Sequence, residues 1–234
     1  MSAPDAAARR EELVALYKEV AKCTKCPLYE TRTKAVFGAG NADADLMFVG
    51  EAPGAEEDRQ GLPFVGRAGR LLNEMLVEIG LSREEVFICN VLKSRPPNNR
   101  DPRPEEIAAC EPYLWEQVRL IEPRVVCTLG NFATKLLTGS PTGITRVRGT
   151  PQTHELGGRP VHLLPLFHPA AALRTPAVKE QLRADFATIP SLLEQPLPAP
   201  LPSAAEIAEE EARETMAEDP PPADQLGFFG EPGA

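Results

Sequence analysis

Apolar positions along this chain follow two different periods. Four short runs, Leu46–Gly50, Val86–Leu92, Arg124–Gly130 and Val161–Phe167, are almost continuously apolar and end at Gly, Pro or polar residues. Runs this short and this rich in Val, Ile, Leu and Phe predict strands buried on both faces. Between them, apolar residues recur every three or four positions, which is the helical period. Residues 66–80 place Leu71, Leu72, Met75, Leu76 and Ile79 on one face and stop at Gly80. Pro104–Ile121 begins with proline, has glutamates in its first turn and carries Ile107, Tyr113, Leu114 and Val118. Residues 6–21, Asn131–Leu137 and Ala177–Leu193 supply three further helical patterns.

Strands alternating with helices predict an α/β protein, with a parallel sheet of these four strands covered on both faces. Such sheets bind ligands beyond the carboxyl ends of their strands. The most polar and irregular segments follow those ends: Gly50–Gly66 after the first run, Lys93–Arg103 after the second and His168–Thr175 after the fourth. One site built from these three loops is expected. Residues 1–193 form the folded domain on this pattern. From Glu194 the composition shifts to Pro, Ala and Glu. Such a segment cannot bury enough apolar surface to offset its chain entropy, so residues 194–234 are expected to be a disordered acidic tail.

Charge alters this picture in one respect. The 234-residue chain carries a net charge of −9, which at first argues against a nucleic-acid partner. Residues 191–234 hold ten acidic residues and one basic residue, 1 − 10 = −9, which is the whole excess. The remaining residues hold 24 basic and 24 acidic side chains, so a local basic face has room to form. No apolar run approaches the roughly 20 residues of a membrane span. The N-terminus lacks the apolar core of a signal peptide. A soluble, cytoplasmic monomer is expected.

The cysteines are Cys23, Cys26, Cys89, Cys110 and Cys127. An odd number in an intracellular chain argues against a disulfide framework. Cys23 and Cys26 form a C-x-x-C pair, a spacing that suits a metal, a cluster or a redox dithiol. Cys89 and Cys127 sit inside apolar runs and read as small buried hydrophobes.

The three loops hold the candidate chemistry. Gly50-Glu51-Ala52-Pro53-Gly54 is glycine-rich but is not a phosphate loop, because no Lys-Ser/Thr follows and Glu51 would repel a phosphate. Phe64, between Pro63 and Val65, is either a platform on which a base stacks or a loop aromatic tucked onto the sheet. The strand predicted from the second run ends in Asn90, two residues before that run closes, and LKSRPPNNRDPRP follows. The Asn90 carboxamide either matches the donor–acceptor edge of a planar ring or caps a turn. His168 follows the fourth run directly, a setting for charge stabilisation or acid–base work. His154 and His162 lack that setting and read as structural.

Taken in order, GEAPG, GLPFVGRAG, NVLKSRPPNNRDP and HPAAAL resemble the iron–sulfur (family 4) uracil-DNA glycosylases over about residues 20–190. The resemblance implies a three-layer α/β/α fold around a four-stranded parallel sheet. It implies a monofunctional enzyme that hydrolyses the N-glycosidic bond of deoxyuridine flipped out of DNA, the first step of base excision repair. Phe64 would stack on the uracil and Asn90 would read its edge. Glu51 would order the site and the attacking water. Glu57 would sit near uracil C5 and disfavour a thymine methyl. His168 would stabilise the charge growing on O2. Ala52 stands in the substrate-binding motif where related family 1 enzymes carry an aspartate, so a dissociative path with electrostatic stabilisation as its main contribution is expected. Leu173 and Arg174 would enter or brace the DNA where the base leaves.

The family it resembles holds a [4Fe–4S] cluster on four cysteines. Cys23, Cys26 and Cys110 match three of them, and the fourth, in a segment usually read K-C-R-P-P, is Ser94 here. Three outcomes stay open: Ser94 Oγ ligates the fourth iron, Cys89 substitutes, or the cluster is absent or labile. Its expected role is structural. At the tail tip, Gln225-Leu226-Gly227-Phe228-Phe229 resembles the short peptide that docks on the bacterial sliding clamp, here on a flexible leash. The alternative is a chance hydrophobic cluster. Two rivals to the enzyme remain: a module of the same fold that binds uracil or abasic DNA without turnover, and a redox or metal-storage iron–sulfur protein.

Overall fold

A computed structural model describes residues 6–199. The expectations for the Gln225–Phe229 motif and for nearly all of the acidic tail therefore lie outside the described residues. The chain runs α1 (Ala6–Ala21), β1 (Ala39–Gly40), β2 (Leu46–Gly50), α2 (Ala55–Gln60), α3 (Arg67–Glu78), β3 (Phe87–Asn90), α4 (Pro104–Ile121), β4 (Val125–Leu129), α5 (Asn131–Thr138), α6 (Ile144–Val147), β5 (Gln152–Leu156), β6 (Arg159–Leu166), α7 (Pro169–Ala172), α8 (Pro176–Phe186) and α9 (Ile189–Glu194).

The four apolar runs become β3, β2, β4 and β6, which lie side by side and parallel. Two antiparallel edge strands extend this sheet to six: β1 on β3 and β5 on β6. β1 is two residues long, too short to leave a periodic pattern. β5 carries few apolar residues, but the turn that follows it has a signature. Gly157 and Gly158 both have positive φ, 59° and 76°, and they link Leu156 to its partner Arg159. A two-residue turn with left-handed φ at both positions is the hairpin connection that matches strand twist.

Side chains alternate across the sheet with the period of a strand. Met47 and Val49 of β2 join one core with Cys89, Val126 and Leu163. Leu46 and Phe48 join the other with Ile88, Cys127 and Leu164. The first core is covered by Leu13 and Val20 of α1, Tyr113, Leu114 and Val118 of α4 and Leu137 of α5. The second is covered by α3 through Leu71, Leu72, Met75 and Leu76, and by Leu182, Phe186, Ile189 and Leu192. These are the three layers. The pattern over Ala177–Leu193 reads as one helix, yet it forms two, α8 and α9. Thr188 Oγ1 donates to the Asp185 carbonyl there. Pro190 has no N–H with which to continue the first helix.

From β2 the chain crosses to β3 on one side and later to β4 on the other. The strand order thus reverses at β2, and the space beyond the carboxyl ends of these strands is where such a sheet opens a crevice.

Candidate active site

Glu51 follows β2, Asn90 ends β3, Gly130 follows β4 and His168 follows β6. All four sit at the same end of the sheet. A cavity of about 350 Å³ opens there, bordered by Glu51, Ala52, Glu57, Phe64, Asn90 and His168 together with Pro96, Asn99 and Arg100. Three loops distant in sequence thus meet at one cavity. Leu173 and Arg174, just past α7, are exposed and do not border it.

Each wall has a local cause. Phe64 holds φ at +50°, a conformation that costs a side-chain-bearing residue about 1 kcal/mol or more. The surroundings hold it there. Arg83 donates from Nη1 to the Phe64 carbonyl at 2.9 Å and from Nη2 to the Pro63 carbonyl. Glu57 Oε1 accepts the backbone N–H groups of Val65 at 3.0 Å and Gly66 at 2.9 Å, where α3 begins. The ring is 6% exposed, so it is both packed on the sheet and part of the cavity wall. Gly50 makes this approach feasible. A Cβ there would lie 2.4 Å from Asn90 Oδ1 and 2.7 Å from Phe64 Cζ.

His168 caps α7, and its Nδ1 accepts the Ala170 N–H at 3.0 Å. A neutral ring so bonded carries its proton on Nε2. Burial pushes the imidazole pKa down to about 4, with a small opposing effect from the Glu57 carboxylate. At neutral pH His168 is therefore an uncharged donor. Glu51 is half-buried, and its pKa is raised, first by that burial and then by the nearby Asp101 carboxylate. A second cavity of about 600 Å³ shares Glu51 and His168 and continues past Asp101, Asn131 and Lys135. The two groups thus stand between two spaces, one lined by Phe64 and Asn90 and the other open toward α5.

The loop over the cavity is anchored by Arg100. Its guanidinium donates to both carboxylate oxygens of Glu106, at 2.9 and 2.5 Å, and Glu106 Oε2 also accepts the Arg103 N–H at the start of α4. The Lys93–Arg103 loop was expected from the sequence. Pro96, Asn99, Arg100 and Asp101 were not singled out within it, because their roles depend on how the loop folds back.

The cysteines divide as their patterns predict. Cys89 and Cys127 are buried in strands, and burial pushes both thiols up. Cys23 and Cys26 lie in the turn after α1, and Cys110 lies on α4. The Cys26 thiol is raised by burial and then by Cys23. The Cys110 thiol is raised by burial, with Cys26 and Cys23 adding to it. The three thiols are thus neighbours. Ser94 is buried beside them, and its Oγ accepts from Arg32 Nη1 at 3.1 Å. Among the described residues no three His, Cys, Asp or Glu side chains converge as they would on one metal ion. A cubane cluster needs no such convergence, because each ligand binds a different iron. Three thiols are the soft ligand type such a group takes, and Ser94 would bring a harder hydroxyl oxygen where the family it resembles has a fourth thiol.

An aromatic wall, a carboxamide and a neutral imidazole donor thus meet at one cavity at the top of a parallel sheet, a set of groups suited to a planar ring. Comparison with known proteins agrees. Residues 37–187 match the Uracil DNA glycosylase superfamily. A type-4 uracil-DNA glycosylase of Thermotoga maritima is 53% identical over 167 residues, covering 70% of this chain and 85% of the relative. The type-4 enzyme of Archaeoglobus fulgidus is 47% identical over 186 residues, covering 78% of this chain and 94% of the relative. A DNA polymerase of Bacillus phage SP01 is 34% identical over 172 residues, which is 18% of its length. The chain belongs to the uracil-DNA glycosylase superfamily and, within it, to the type-4 branch.

Proposed function

We propose that this protein is a monofunctional uracil-DNA glycosylase, and that the cavity bordered by Phe64, Asn90, Glu51 and His168 is its active site. The meeting of these four residues at the carboxyl ends of the strands, in a chain of this family, carries the assignment. The target nucleotide leaves the stack, because the C1′–N1 bond is otherwise out of reach. Uracil packs against the Phe64 ring. The Asn90 carboxamide accepts from N3–H and donates to O4. Glu57 and the loop it holds close the wall near C5. As the C1′–N1 bond breaks, its electron pair leaves with uracil, and the Nε2–H of His168 donates to O2 where the charge collects. A neutral donor in a buried site stabilises that anion without having to give up its proton. Water adds to C1′ of the sugar cation. Glu51 orients it and takes its proton, which a carboxylate with a raised pKa does more readily. The products are free uracil and an abasic site.

The assignment includes a [4Fe–4S] cluster that Cys23, Cys26 and Cys110 would hold, with Ser94 Oγ as the fourth ligand that iron analysis has to test. Its contribution when bound is a cross-link between the segment after α1, the loop after β3 and α4. The cytoplasm, where the DNA substrate is present, is the proposed location, and the monomer is the proposed state. No helix among the described residues is long and apolar enough to cross a membrane. The tail motif Gln225, Leu226, Phe228 and Phe229 is proposed to tether the enzyme to the sliding clamp. Deleting residues 224–234 tests this: clamp binding should vanish while excision from short oligonucleotides persists, and unchanged clamp affinity rules it out.

The primary test is uracil release from a labelled oligonucleotide with one U·G pair, comparing the unaltered chain with Asn90→Ala and His168→Ala. Release that collapses in both variants is expected. A folded preparation that binds the same oligonucleotide without releasing uracil would make the protein a recognition module instead.

A further inference from the structure

A buried lysine lies directly behind the proposed base-reading residue. Lys93 is buried, and burial lowers the pKa of its ammonium. Its Nζ donates to the Asn90 carbonyl at 2.6 Å and to Gln117 Oε1 at 2.6 Å. Gln117 is also fully buried, and its Nε2 donates to the Phe37 carbonyl at 2.9 Å. Among the described residues no carboxylate pairs with Lys93 within salt-bridge distance. A cation in such a place is costly unless hydrogen bonds offset its lost hydration. Both of the acceptors it has found are neutral.

The strand pairing explains what these bonds accomplish. Gly40 pairs with Phe87 and Ala39 with Ile88, so antiparallel register sets Phe37 alongside Asn90. The ladder between β1 and β3 does not reach that far. Val91 N–H bonds to the Gly50 carbonyl, so by alternation the Asn90 carbonyl faces away from β2, toward this unpaired edge. A buried carbonyl left without a donor costs about as much as a lost hydrogen bond. Lys93 and Gln117 fill the gap, forming a chain from the Asn90 carbonyl through Nζ and the carboxamide to the Phe37 carbonyl. The backbone of Lys93 is fixed as well: its carbonyl accepts the Val36 N–H at 2.8 Å and its N–H donates to Cys110 Sγ at 3.5 Å.

We infer that Lys93 is a positioning residue for uracil recognition: with Gln117 it replaces the missing rung of the sheet and so fixes where the Asn90 carboxamide stands. This rests on the assignment of Asn90 as the reader of the uracil edge. A strand end held on one side only would leave that carboxamide free to drift by the fraction of an ångström that weakens a hydrogen bond.

The test measures the dissociation constant of free radiolabelled uracil by equilibrium dialysis, a property of each folded active site that needs no turnover and does not change with the fraction of folded protein. Asn90→Ala, Lys93→Met, Gln117→Met and the Asn90→Ala/Lys93→Met double variant are compared, with thermal midpoints recorded alongside. Lys93→Met is expected to weaken uracil binding at least about tenfold, the worth of one charged hydrogen bond. Gln117→Met should act in the same direction. In the Asn90→Ala background the Lys93 substitution should cause no further loss, since the two act through one contact. Unchanged uracil affinity in Lys93→Met, with only a lowered midpoint, would reduce Lys93 to a stability residue. Losses that add in the double variant would also overturn the proposal. Should Lys93→Met not fold, Gln117→Met alone and combined with Asn90→Ala decides by the same criteria. If Asn90→Ala itself binds uracil normally, the reader assignment has failed, and the proposal falls with it. That outcome is separable, because it appears in a variant that leaves Lys93 intact.

Discussion

The rings of Phe64 and His168 face each other, with centroids 5.6 Å apart and planes 29° from parallel. They come from segments far apart in the chain, one from the loop between α2 and α3 and one from the start of α7 after β6, and β4 alone stands between β2 and β6 in the sheet. The contact joins the proposed stacking wall to the proposed oxyanion donor. Displacing either ring therefore disturbs both functions.

The buried imidazole makes stability depend on pH. In the unfolded chain His168 titrates near 6.5, and in the folded protein near about 4. Between those values the unfolded state binds the extra proton, so stability is greatest above 6.5 and falls as pH drops toward 4. The full loss is about 3 kcal/mol. Urea unfolding at pH 7.5 and pH 4 should show a larger drop for the unaltered chain than for His168→Gln. Equal drops would mean that the ring is not held neutral.

Glu51 and Asp101 are coupled in a way that kinetics can read. Asp101 raises the Glu51 pKa, second to burial. Replacing Asp101 with Asn removes the like charge and lowers that pKa. The acid limb of the pH profile of kcat/KM should then move to lower pH, since ionised Glu51 persists further into acid. A limb that stays in place, or moves upward, would disconnect Glu51 from the rate.

Gly50→Ala should damage recognition more than folding. The added methyl meets Asn90 Oδ1 and the Phe64 ring, both of which border the cavity. A drop in kcat/KM of at least about tenfold is expected, with a thermal midpoint that falls only slightly. Activity near that of the unaltered chain would show that the cavity yields without consequence.

Iron analysis distinguishes the outcomes open at Ser94. Protein purified without air should contain iron and sulfide, and Cys110→Ala should lose them. Ser94→Cys should retain its iron longer against a chelator, because thiolate is the softer and stronger ligand. An iron-free protein that excises uracil at full rate would remove the cluster from the proposed function.

Much of the site was legible along the chain. Glu51 and His168 each follow a strand-length apolar run and Asn90 ends a strand, and a parallel sheet necessarily gathers such positions at one end. Phe64 could be singled out within its glycine-flanked loop. Its left-handed backbone and the clamp from Arg83, nineteen residues later, could not. The edge strand β5 had a local signal in Gly157-Gly158 that period counting passed over. The break between α8 and α9 turned on Pro190, which an apolar pattern spanning both helices conceals.

Sequence alone determined what is local and periodic: the four central strands, their flanking helices, the buried cysteines and the three loops that hold the chemistry. These follow from side-chain volume, polarity and spacing, which act between near neighbours. Only the tertiary structure decided what depends on long-range approach. The fall in the His168 pKa requires knowing what surrounds the ring. The rise at Glu51 requires Asp101, fifty residues away, to come near. The bridge from Lys93 through Gln117 to Phe37 fills the gap left because β1 begins only at Ala39, two residues after Phe37. Charge and hydrogen-bond energies depend steeply on distance and burial, and neither quantity is written along a chain until it has folded.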